Sequence, residues 1–299
     1  MADQLQAIDS PAAGAASQAA AVKPRFKVGH LVLYMILLLG AFLAIFPFFW
    51  MLSTSLMTLG ETINAQWIPK TPQLDNYYEA WVEAKFAKYF LNSLIIAGVT
   101  IGGLLITSIL AGYAFARIQF FGRDVIFGLL LATMMIPESV TMIPNFLMIR
   151  GDIIPWGSWL NTLAALTVPF MANAFSIFLL RQFFKTIPNE LWDAARMDGA
   201  SHLRFLIQIV LPISKAPVMT VLIFTFIGSW NAFLWPLLVT TRENWRPLMV
   251  GLWSFVSEAG PETNLQMAGA VITIIPILIL YFLTQKQFTE GIATTGLKG

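Results

Sequence analysis

Apolar residues dominate six stretches of the chain: Leu31–Leu52, Phe90–Ala116, Val125–Ile149, Trp159–Leu180, Pro217–Val239 and Leu265–Leu283. About twenty residues at 1.5 Å rise reach about 30 Å, the thickness of a bilayer's hydrocarbon core, so each stretch predicts a transmembrane helix. The first is longer than a signal-peptide core and has no small-residue cleavage pattern after it, so it is expected to remain in the mature chain. Residues 1–29 are rich in Ala, Ser and Gln, lack apolar periodicity and read as a mobile tail. The pattern predicts an all-α membrane protein with one six-helix domain over residues 30–299.

One segment breaks the pattern. In TIPNELWDAARMDGASHLRFLIQIVLP, Thr186 to Pro212, two short helices are legible between the fourth and fifth apolar stretches. Asn189 reads as an N-cap, with Glu190 and Asp193 in a first turn where negative charge suits the helix dipole. Gly199 is the natural stop, since glycine takes the left-handed cap conformation without strain. Ser201 then caps a second helix expected to run to Leu211 and to end at Pro212. The result is a polar elbow whose alanines, Ala194, Ala195 and Ala200, leave its backbone open to close approach. By itself it reads equally as a connector or as a docking element.

Composition agrees with the membrane reading: 57% of residues are hydrophobic and 11% charged, against roughly 45–50% and about 25% in ordinary soluble domains. A net charge of +2 without a dense basic patch argues against a nucleic-acid partner. There is no cysteine, and His30 and His202 are the only histidines, which excludes thiol chemistry and makes a metal site implausible. No GxxxxGK[ST] loop occurs, so the chain lacks that phosphate cradle. With the tail inside, twelve of the eighteen lysines and arginines fall on the inner side, so both termini and the elbow are expected in the cytoplasm.

Within the stretches, Pro47, Pro137, Pro144, Pro169, Pro236 and Pro276 predict kinks. Gly98 and Gly102 form a GxxxG, which lets another helix backbone approach closely. Glu138 is the one ionisable residue inside a stretch, and reads either as a group on a solute or proton path or as one that shapes the helix. Trp230, Asn231 and Trp235 offer aromatic faces and an amide, the combination a sugar requires, and read equally as packing residues. Asn173 is a further candidate, with interhelical bonding as its alternative.

The elbow resembles the EAA loop of permease subunits of binding-protein-dependent ABC importers. Asp193-Ala194-Ala195, Gly199, the apolar positions around Phe205 and Ile209, and Leu211-Pro212 fit its pattern, with aspartate in place of the glutamate. Further tracts are similar to the carbohydrate-uptake class: WIPKTPQLDNYYEAW at Trp67–Trp81, GYAFARIQFFGRD at Gly112–Asp124, GSWNAFLWPLLV at Gly228–Val239 and the terminal GIATTGLKG. The likeness is strongest to the second permease subunit of maltose-type importers and spans nearly the whole chain after His30.

The resemblance implies a non-enzymatic subunit that supplies half of an alternating-access pathway for a sugar. Its implied partners are a second permease, two ATPases that bind ATP and Mg, and an extracytoplasmic binding protein. It implies ATPase coupling through Glu190, Asp193, Ala194, Ala195, Asp198, Gly199, Ala200 and Phe205, and a tail contact with the ATPases through Gly296, Lys298 and Gly299. The substrate path is expected to include Trp230, Asn231, Glu138 and Asn173. Glycerol phosphate or another anion is the alternative substrate. From another class, a proton-coupled carrier using Glu138 would leave the elbow unexplained, and no internal repeat of the kind such carriers show is evident.

Overall fold

The structure is a computed structural model and describes residues 28–83, 85–153, 157–257 and 260–296. The expected tail over residues 1–29 lies outside these except for Val28 and Gly29. The chain divides into two compact units, Met1–Phe48 and Phe49–Gly299. The described part of the first, residues 28–48, lies within the apolar helix α1 (Val28–Ser55), which contains Pro47.

In the second unit the long helix α2 (Phe86–Arg117) is the axis. It is followed by α3 (Arg123–Thr133), α4 (Glu138–Arg150), α5 (Ala174–Thr186), α6 (Asn189–Met197), α7 (His202–Ile213), α8 (Lys215–Trp230), α9 (Leu234–Val239) and α10 (Thr263–Gly296). The only strands among the described residues are a two-residue antiparallel ladder, Val256–Ser257 against Gly260–Pro261. Three helices, α1, α2 and α10 as far as Gln285, are long and apolar enough to cross a membrane. The number rises to six if each bent pair is one span.

The bent pairs show where the stretches break. Val125–Ile149 is α3 and α4, meeting at 98°. Pro137 cannot donate and pushes its predecessor out of the helical region, so α3 closes in short turns, Met134 to Leu131 and Met135 to Ala132, before the chain restarts. The fourth stretch breaks at Met171–Asn173 with a 43° bend. The fifth ends its main helix at Trp230, and Leu234–Val239 resumes after a three-residue break.

Helix α5 packs against α2 at Gly112, where an added Cβ would sit 3.2 Å from Leu180 Cβ and 3.3 Å from Arg181 N. Within the chain Gly98 and Gly102 have nothing within 4 Å of an added Cβ, whereas Gly103 beside them is packed against Met171, as Gly112 is against Leu180 and Arg181. Arg181 is buried and donates to Phe115 O (3.2 Å). Its guanidinium lies 3.7 Å over the Phe127 ring and 3.7 Å from Asp124, tying α5 to α2 and α3.

At the opposite end of α2, buried amides join the long connections. Asn76 donates to Ser55 O and Met57 O (2.9 and 2.8 Å) and accepts from Asn264 (3.0 Å). Asn92 donates to Asn244 O and Arg246 O (3.0 and 2.9 Å), and Lys85 pairs with Glu243 at 2.8 Å. Glu61 closes a capping box with Thr58 and also accepts from Lys70 N at 3.0 Å.

Candidate functional site

The elbow is built from local signals. Glu190 in its first turn and Arg196 in its last complement the dipole of α6. Asn189 is not the cap expected of it: Pro188 holds that position, and Asn189 Oδ1 instead accepts from Arg117 Nη1 at 2.7 Å. At the other end Gly199 takes φ +77°. Gly199 N donates to Arg196 O (3.0 Å) and Ala200 N to Ala195 O (2.9 Å), the paired bonds of a Schellman motif. Ala195 is buried and Ala200 packs against the same apolar cluster, the hydrophobic contact that accompanies the motif.

Ser201 caps α7, its Oγ accepting from Arg204 N at 3.3 Å. The second arm does not stop at Pro212. Leu206–Val210 form a π-helical turn, Leu211 N donates back to Leu206 O, and the helix continues to Ile213 before an 82° bend into α8. The wider turn accommodates a proline that an α-helical register would exclude.

The inside of the elbow is aromatic. Trp192 stacks on His202 with centroids 4.2 Å apart and meets Phe205 edge-on at 5.1 Å. Tyr113 of α2 approaches Phe205, and its hydroxyl is 2.9 Å from His202 Nδ1. Phe205 is thus a buried positioning group and not a surface contact. One turn on, Arg117 donates to Phe184 O (3.1 Å), to Ile187 O and to Asn189. Sequence reading passed over Tyr113, Arg117, Trp192 and His202 as site residues. The available signal was the four-residue spacing of Tyr113 and Arg117, which sets them on one helix face.

The outside of the elbow is open. Glu190, Asp193, Ala194 and Met197 are exposed at helical spacing, followed by Asp198 and Gly199. Met197 is 84% exposed, an apolar side chain held out beside three carboxylates that form no ion pair among the described residues.

A matching family model covers residues 103–293, which include the whole elbow: binding-protein-dependent transport system inner membrane component. The chain belongs to this family of permeases. It is 33% identical over 267 residues to the lactose transport system permease protein LacG of Rhizobium radiobacter, covering 89% of this chain and 96% of that one. Likewise it is 31% identical to the arabinooligosaccharides transport system permease protein AraQ of Bacillus subtilis (92% and 98% covered). To the sn-glycerol-3-phosphate transport system permease protein UgpE of Brucella abortus it is 33% identical (90% and 97% covered). The fold is similar to a crystal structure of a bacterial ABC transporter involved in import of the acidic polysaccharide alginate. There the TM-score is 0.77 at 25% identity, over 87% of this chain and 96% of the other.

The permease's substrate-path candidates separate. Trp230 is fully buried, donates to Thr273 O (3.0 Å) and is packed by Phe226 and Phe90, so its ring presents no face to a solute here. Trp235 is also buried, bonded to Ala165 O at 2.9 Å. Asn231 is exposed at the end of α8, with its amide free of hydrogen bonds among the described residues. Asn173 caps α5 by accepting from Ser176 N (3.1 Å), instead of bridging two helices. Glu138 is exposed as the first residue of α4, at the 98° break and not inside a continuous helix. Each of these three polar groups marks a helix interruption, and among the described residues no hydrogen bond joins them. Gly296 ends α10, while Lys298 and Gly299 lie outside the described residues.

Proposed function

We propose that this permease forms half of an alternating-access pathway for a sugar or oligosaccharide, paired with a second, related permease. In this reading two ATPases hold ATP and Mg and grip the elbow from the cytoplasm, where both termini also lie. An extracytoplasmic binding protein delivers the solute. The observation that carries the reading is the elbow itself: two capped helices fixed from within by an aromatic cluster, with Glu190, Asp193, Ala194 and Met197 turned outward. A mere connector needs no such rigid interior. The missing phosphate loop supports placing hydrolysis in a partner, as does membership of a transport family. The terminal residues Gly296, Lys298 and Gly299 are proposed to reach the ATPase pair.

A neutral solute is favoured because the polar groups at the helix breaks, Asn231, Asn173 and Glu138, include no cation to pair a phosphate. A second reading, glycerol phosphate or another anion, draws on the relatives named for glycerol phosphate and alginate. It requires the second permease to supply the charge.

The test is reconstitution of the permease with its companion subunits in liposomes, with the companion binding protein loaded in turn with lactose, an arabino-oligosaccharide or glycerol 3-phosphate. ATPase stimulation by a neutral saccharide, insensitive to a protonophore, is expected. Stimulation by glycerol 3-phosphate alone would select the anion reading. If no ATPase co-purifies with the permease, the importer reading falls.

A further inference from the structure

Helix α2 ends in a pair of side chains that hold both arms of the elbow, and no role has yet been given to them. Tyr113 and Arg117 are four residues apart, on one face of α2. Arg117 reaches the first arm. Its Nε and Nη2 donate to Phe184 O and Ile187 O, at the last turn and the cap of α5, and its Nη1 donates to Asn189 Oδ1, the first residue of α6. Tyr113 reaches the second arm through its hydroxyl contact with His202 Nδ1 and its ring contact with Phe205. We propose that Tyr113 and Arg117 are positioning residues for energy coupling: together they fix the elbow to the end of α2, so that force on the elbow moves α2 with it.

The chemistry favours arginine at this site. The C-terminal ends of α2 and α5 converge on one guanidinium, and their partial negative charges favour a cation there. Three acceptors in different directions match a planar fork of five donors, whereas a lysine ammonium would have to choose among them. The two contacts fall on either side of the Gly199 corner, so neither arm can swing independently while both hold. Phe184 and Phe205 are fully or almost fully buried, and the bonds to Phe184 O, Ile187 O and His202 are partly buried while that to Asn189 is exposed.

The proposal rests on the elbow's being the element that the ATPases grip, and its test separates the two claims. The chain has no cysteine, so spin labels at Ile106→Cys on α2 and Arg196→Cys on α6, both exposed, report one distance in the full chain assembled with its companion subunits. The expected result is one narrow distribution, unchanged between nucleotide-free and vanadate-trapped complexes. Arg117→Ala should broaden it and make it depend on nucleotide. The same variant should lower several-fold the ATPase stimulation by loaded binding protein. Asn189→Ala should do so more weakly, Asn189→Asp should behave as wild type because it keeps the acceptor, and Arg117→Lys should be intermediate. Tyr113→Phe keeps the ring and loses only the hydroxyl, so it reports on the second arm without emptying the core. An Arg117→Ala complex that keeps the narrow, nucleotide-independent distance and full stimulation overturns the clamp. Failure of the wild-type chain to bind any ATPase overturns the importer reading, and the label distance in the purified chain still decides the clamp.

Discussion

Trp192 and His202 lie on opposite arms of the elbow and stack face to face, 4.2 Å between centroids and 14° between ring planes. The nine residues between them include the Gly199 corner, so the stack measures whether the corner is closed. An aromatic pair of this kind contributes about 0.5–1.5 kcal/mol beyond its buried area. Trp192→Ala should therefore open the elbow without unfolding the helices of the long bundle. Limited trypsin digestion reads this directly, because Arg196 and Arg204 are exposed on the two arms. Cleavage there should accelerate in Trp192→Ala and stay near wild type in Trp192→Phe; unchanged rates in both would mean that the stack does not hold the corner.

Gly199 tests the corner from the backbone side. Nothing lies within 4 Å of an added Cβ, so a side chain there meets no steric obstacle and only the φ of +77° resists it. Gly199→Val should cost roughly 1–2 kcal/mol, and Gly199→Asn less, since asparagine also serves as a left-handed cap. Both variants should reach the membrane, with ATPase co-purification weakened in the valine form alone. Equal co-purification by the two would show that the left-handed turn is dispensable.

The two polar elements of the fifth apolar stretch should respond differently. Trp230 is fully buried and bonded to Thr273 O, so Trp230→Ala should cost on the order of 3–5 kcal/mol and lower the yield of folded permease. Asn231, exposed and with no side-chain hydrogen bond among the described residues, can lose its amide at little structural cost. Asn231→Ala is expected to reduce uptake of the saccharide that stimulates the ATPase while yield stays constant. A parallel loss of yield and uptake would make Asn231 a structural residue.

The turn around Glu61 predicts a pH dependence. Hydrogen bonds from the backbone of Thr58 and Lys70 hold the Glu61 carboxyl below its ordinary range. A depressed carboxyl stabilises the fold fully above its unfolded value, and that contribution is lost as pH falls through the folded value. Amide exchange at Thr58 and Lys70 should therefore stay slow through the usual glutamate range and quicken only at lower pH. In Glu61→Gln the protection should no longer depend on pH in this region. Loss of protection at the ordinary glutamate pH would contradict the assignment.

The elbow was readable in the sequence because its determinants are local: Gly199 takes the left-handed turn and Ser201 caps the next helix within three residues of where each acts. Asn189 was misjudged for the opposite reason. Its oxygen is taken by Arg117, 72 positions earlier, and no local rule competes with a contact made by folding. The apolar runs showed where chain could enter a membrane, yet not where it bends. Pro47, Pro144 and Pro276 lie inside helices while Pro137 stands at a break, as the N-cap of α4, so proline alone does not mark a break. Trp230 and Asn231 are adjacent in sequence and differ completely in exposure, which only the packing of Phe90 and Phe226 around the indole decides.

The π-helical turn at Leu206–Val210 holds one residue more than an α-helix of the same rise would need. That extra residue sets the phase of everything after it. If the same five residues took the ordinary α repeat, Leu211 onward would be rotated by about 100° relative to the elbow. The direction in which α8 leaves the 82° bend would change with it, whereas the local bond of buried Ser214 to Val210 O would simply be carried along. What a viable descendant of this chain would have to keep is the phase across this segment, whether by five residues in a π turn or by four in an α turn.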